Sequence, residues 1–156
     1  MASHPKFRII DKVLIEPGES LRFALISEPQ SVRQVLKRIN EAFSESDVPA
    51  DRLNDLEIVL AEALNNIVEH AYSENTSTIE ITVSHNAKNI RVSLQDHGKH
   101  MPGGKVPLGE MPSLSGDKQE LPEGGFGWAL IHELTTDLTY RREGDTNITE
   151  FCVSTT

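Results

Sequence analysis

The stretch DRLNDLEIVLAEALNNIVEHAY, from Asp51 to Tyr72, constrains the fold more than any other part of the chain. On a helical wheel at ~100° per residue, Leu53, Leu56, Leu60, Leu64, Ile67 and Ala71 share one stripe. A helix with one apolar stripe lies on a core and keeps its other side wet, so it needs a second layer to cover. Asp51 is the expected N-cap, and the pattern runs out near Tyr72.

The rest of the chain supplies that layer. FRIIDKVLIE and SLRFALIS are short β-rich runs separated by the turn signal EPGES. EPQSVRQVLKRINEAFSES has helical spacing at Val32, Val35, Leu36, Ile39 and Phe43. STIEITVSHN and KNIRVSLQDHG read as paired strands with a polar turn around Asn86–Ala87. From Gly98 to Gly125 the chain is rich in Gly and Pro and has no sustained period; loops this long in a compact domain are usually functional or mobile. FGWALIHELTTD is a further helix, and LTYRREGDTNITEFCVS a closing hairpin. The order is β β α α β β, long loop, α β β. It predicts an α/β fold, a two-layer sandwich with the helices on one sheet face. No repeat or second domain shows, so residues 1–156 read as one domain.

Charge narrows the partners. The net charge is -9, from 24 acidic against 15 basic side chains, and Arg141–Arg142 is the densest basic point. Nucleic-acid binding needs a basic footprint and is disfavoured. A small anion can still bind through backbone amides. Cys152, the one cysteine, cannot close an internal disulfide and reads as a buried small apolar residue. The N-terminus lacks a signal-peptide apolar core, and no run approaches the ~20 apolar residues of a membrane helix, so a cytoplasmic protein is expected.

Three polar features stand out. Glu62, Asn66 and His70 follow at spacings of four, which stacks them along one side of the helix about one turn apart. Such a line is either a solvated face or a ligand-facing one. In QDHG, Gln95 to Gly98, a strand ends in an aspartate able to accept a hydrogen bond from a buried amino group; ordinary turn chemistry explains it equally well. In EGGFGWALI, Gly124, Gly125 and Gly127 precede or open a helix. Free amides there make either an anion site or a simple helix entry. No Walker loop or GxSxG elbow occurs. DHGKH holds Asp96, His97 and His100 as possible metal ligands, without a partner motif.

In this order the three features resemble the ATP-binding module shared by DNA gyrase, heat-shock chaperones, sensor histidine kinases and mismatch-repair ATPases, the GHKL superfamily with its Bergerat fold. EALNN is similar to the E-x-x-x-N box at Glu62 and Asn66, DHG to the D-x-G box at Asp96 and Gly98, and GGFG to the glycine box at Gly125 and Gly127. The resemblance implies a mixed, mostly antiparallel sheet, with ATP and Mg²⁺ as ligands. Within the superfamily the chain resembles the stand-alone anti-sigma-factor serine/threonine kinases, whose box often adds a histidine where His70 stands. That implies Glu62 as general base, Asn66 as magnesium ligand and Asp96 as the contact to the adenine amino group. It further implies a lid loop over residues 98–125, Gly124, Gly125 and Gly127 near the phosphates, and Thr149 near the adenine pocket. The implied partners are an anti-anti-sigma protein as phosphorylation substrate and a sigma factor, the kinase being a homodimer. His100 and Trp128 depart from the family pattern, which commonly has a glycine and a smaller aliphatic residue at those places.

Magnesium prefers oxygen ligands and keeps several waters, so one amide oxygen plus phosphates suits it. Glu62, a turn earlier, is then left for the incoming hydroxyl. Two other readings stand beside the kinase: an interaction module that sequesters its partner without phosphate transfer, and a metal hydrolase around DHGKH.

Overall fold

The computed structural model describes residues 13–71, 76–109 and 125–156. Within them, five strands form one sheet in the order β1-β2-β3-β5-β4. These are β1 (Ser20–Ile26), β2 (Thr78–His85), β3 (Asn89–Asp96), β4 (Thr136–Glu143) and β5 (Thr146–Ser154). Helices α1 (Pro29–Ala42), α2 (Ala50–Asn66) and α3 (Gly125–Leu134) supply the second layer. Every strand pairing is antiparallel, so the mixed sheet that the resemblance implied is purely antiparallel among the described residues. Hairpins join β2 to β3 and β4 to β5, while α1 and α2 lie between β1 and β2 in the chain.

Alternation in the strands explains the layering. Ile79, Ile81 and Val83 of β2 and Ile90, Val92 and Leu94 of β3 are fully buried. They meet across the sheet as Ile81↔Leu94 and Val83↔Val92, while Phe151 and Val153 of β5 stand opposite Val92 and Ile90. A one-residue slip would turn this whole set to the wet face, so the register is strongly specified. Val32, Val35 and Ile39 of α1, Leu56, Leu60 and Leu64 of α2, and Ile131 of α3 join these strand residues in one core. Burying side chains of this kind contributes about 1.5–3 kcal/mol each before entropy is counted. Of the stripe predicted for α2, Leu56, Leu60 and Leu64 therefore lie in the core, and Leu53 and Ile67 pack against it. Val59 and Ala63 widen the stripe.

Three further expectations need correction. Asp51 is not the N-cap of α2: Pro49 is, with φ -58° and ψ 146°. The Pro49 carbonyl accepts from the amides of Arg52 at 3.0 Å and Leu53 at 3.1 Å. Asp51 sits inside the first turn, where a carboxylate favours the helix dipole. The first expected strand is not a strand at residues 13–16, and FRII lies outside the described residues. Ile15 donates instead to the carbonyl of Ala42 at 3.0 Å, at the end of α1, and Pro17 and Gly18 then turn the chain. Finally, α2 gives way after Asn66 to a π-helical turn, Ile67–Ala71. Beyond Asn66 the backbone winds more widely than an α-helix, so a spacing of four no longer marks about one turn there. Tyr72 lies outside the described residues.

Candidate functional site

Glu62 and Asn66 lie on consecutive turns of α2, beside the core stripe that fixes the helix on the sheet. Their common neighbour is Gly127 of α3. A Cβ at Gly127 would stand 2.7 Å from Glu62 Oε2, 3.4 Å from its Cδ and 3.7 Å from Asn66 Nδ2. The first distance is below any real Cβ contact, so only glycine leaves the carboxylate where it is. Asn66 Nδ2 is buried and has no hydrogen-bond partner among the described residues. A buried donor left in this state costs about 1–3 kcal/mol, which a ligand oxygen can relieve. Two of the three sequence features, the E-x-x-x-N box and the glycine box, thus meet side by side.

Asp96 ends β3 on the core side of the sheet, following Ile90, Val92 and Leu94 in alternation, and is only 3% exposed. Its Oδ1 accepts from the Gly98 amide at 2.9 Å and from Asn147 Nδ2 at 2.9 Å. Its Oδ2 makes no hydrogen bond among the described residues. Asp96 and Gly98 are therefore joined as a turn, and one carboxylate oxygen stays open. Thr149 is buried on the same face of β5, opposite Leu94 and Tyr140 rather than against Asp96. Gly125 opens α3, and Gly124 lies outside the described residues, as does the loop from 110 to 124.

Sequence reasoning missed Asn147, Tyr140 and Arg142. Asn147 stands opposite Asp96, and Arg142 opposite Asn147. Asn147 has the same strand parity as Thr149, Phe151 and Val153, so an amide in an otherwise core-facing series was the available signal.

The members of DHGKH turn to different partners. Asp96 is held as described, His97 Nδ1 lies 3.3 Å from Thr146 Oγ1, and His100 Nδ1 lies 3.2 Å from the Met101 carbonyl. Among the described residues no three His, Cys, Asp or Glu side chains gather at one point. His132 of α3 lies 2.8 Å by Nε2 from the Pro107 carbonyl, tying that helix to the loop after β3. Trp128 is half-buried against the core. No described helix is long and apolar enough to cross a membrane.

The chain is similar to several known proteins. A serine-protein kinase RsbW of Bacillus thuringiensis is 30% identical over 89 residues, which cover 56% of this chain and 56% of that protein. The serine-protein kinase RsbW of Bacillus anthracis matches at the same identity and coverage. The chain thus spans about half the length of the relatives it matches. Among solved structures, the RsbU and RsbW domains of a Mycobacterium tuberculosis protein superpose with a TM-score of 0.58 at 17% identity, covering 88% of this chain and 33% of that one. That likeness is one of fold. The histidine kinase-like ATPase domain family matches residues 25–153, which include all the site residues described, and the chain belongs to that family.

Proposed function

We propose that this protein is an ATP- and Mg²⁺-dependent serine/threonine kinase that phosphorylates a small anti-anti-sigma partner and sequesters a sigma factor. The observation that carries this reading is the apposition of Glu62 and Asn66 with Gly127, where a carboxylate and an orphaned amide share a space that a Cβ would fill. Membership of an ATPase family and relatives named serine-protein kinases support it. Dimerisation and sigma-factor capture rest on the resemblance.

The residues present fit ATP and magnesium. The Asn66 amide has an oxygen end suited to a hard cation and a buried nitrogen end suited to a phosphate oxygen. The open Oδ2 of Asp96 suits the amino group of adenine. Gly124, Gly125 and Gly127 would bring backbone amides to the phosphates, with residues 98–125 as the lid and Thr149 beside the base. When bound, ATP supplies the phosphoryl group and Mg²⁺ neutralises its charge. Glu62 would take the proton from the partner's hydroxyl, its carboxylate standing in space that the absence of a side chain at Gly127 leaves open.

Transfer of labelled phosphate from ATP to a candidate anti-anti-sigma protein tests the reading. Magnesium-dependent transfer to a serine or threonine is expected. A protein that binds ATP and the partner without transferring phosphate contradicts the kinase and leaves a sequestering module.

A further inference from the structure

We propose that Asn147 is a positioning residue for nucleotide recognition, locking the Asp96 carboxylate and fastening the root of the following loop to the β4–β5 hairpin. The inference rests on the ATP reading above.

Asn147 is 3% exposed, and the strand register holds it opposite Asp96. Its Nδ2 donates to Asp96 Oδ1 at 2.9 Å, to the Gly98 carbonyl at 3.2 Å and to the Lys99 carbonyl at 3.0 Å. Its Oδ1 accepts from the Tyr140 hydroxyl at 2.5 Å and from Arg142 Nη1 at 2.9 Å. Three acceptors at one end and two donors at the other leave the amide one workable orientation. Rotated by half a turn, it would set its oxygen against three oxygens and its nitrogen against a guanidinium. Tyr140 extends the chain of bonds, its hydroxyl oxygen accepting from the Met101 amide at 2.9 Å. Arg142 Nη1 also donates to the Gly98 carbonyl at 3.0 Å.

Two consequences follow. Oδ1 of Asp96 is occupied by Asn147 and the Gly98 amide, so the carboxylate cannot rotate freely and Oδ2 is the oxygen left for a ligand. Gly98, Lys99 and Met101, the first residues after β3's aspartate turn, are bound to the same amide and its tyrosine. The group that reads the base and the root of the loop therefore share one anchor. A buried network of this kind is strong when every member is satisfied and costly when one is removed.

The test compares ATP with purine riboside triphosphate, which lacks the 6-amino group, by titration calorimetry. Wild type is expected to prefer ATP. Asn147→Leu, close in size and unable to donate, should lower that preference on the order of tenfold, the usual consequence of a mispositioned buried hydrogen bond. Tyr140→Phe removes one hydroxyl, preserves the ring, and should lower the preference in the same direction by less. A merely structural role would weaken both nucleotides equally; an unchanged ratio in Asn147→Leu overturns the proposal. Circular dichroism checks folding. If Asn147→Leu does not fold, Tyr140→Phe decides, and an unchanged ratio there overturns the proposal too. A wild type that binds neither nucleotide defeats the ATP reading and this inference with it. Equal wild-type binding of both nucleotides defeats only the assignment of Asp96 and Asn147 to base recognition.

Discussion

Gly127 is where one missing side chain matters most. Alanine there should help α3 locally, since replacing glycine inside a helix gains about 0.5–1 kcal/mol. Its Cβ would nevertheless occupy a point 2.7 Å from Glu62 Oε2, and the carboxylate, at the end of a flexible side chain, is the group that yields. Gly127→Ala is therefore expected to keep or slightly raise the melting temperature while phosphate transfer falls at least about tenfold, a fraction of what a positioned base contributes. Undiminished transfer would show that the glycine is not reserved for the carboxylate. Asn66 makes a similar trade. Its Nδ2 is buried without a partner, so Asn66→Ala removes an unsatisfied donor and should not destabilise the free protein. It should also abolish magnesium-dependent ATP binding, and calorimetry finding wild-type affinity would take Asn66 out of the site.

Among the elements, α2 carries both the core stripe and the site. Leu60 is 1% exposed in the centre of that stripe. Leu60→Ala should cost about 2–5 kcal/mol through lost transfer energy and the cavity left behind, measurable by urea denaturation. A loss below about 1 kcal/mol would mean that the helix does not depend on this contact with the sheet. The stripe was legible because helical periodicity is written into the sequence locally. Strands β2 and β3 were legible from their composition and the polar turn between them. The Pro49 cap and the π turn after Asn66 were not, because they depend on backbone angles and carbonyl partners that residue types only loosely fix. The Glu62–Asn66 pair and Gly127 were each picked out by motif, but their contact is made between α2 and α3. Asn147 was hidden for a related reason: its bond to Asp96 spans 51 residues and exists only through the β3–β5 register.

For the whole molecule, a net charge of -9 makes the long-range field unfavourable to a polyanionic ligand, so local groups must hold the nucleotide. The antiparallel sheet sets Asp96 at the end of β3 on its covered face, and the helical layer on that face sets Glu62 and Asn66 against Gly127. In the proposed kinase, base recognition and phosphate chemistry would thus come from different layers. Removing the carboxylate of Glu62 should then damage transfer without dismantling nucleotide binding. The most direct measurement pairs labelled phosphate transfer to the partner with calorimetric ATP affinity, on wild type and Glu62→Ala. Glu62→Ala should transfer phosphate ~10²–10⁴-fold more slowly, the usual loss of a positioned base, with ATP affinity little changed. Undiminished transfer by Glu62→Ala would remove Glu62 as the base.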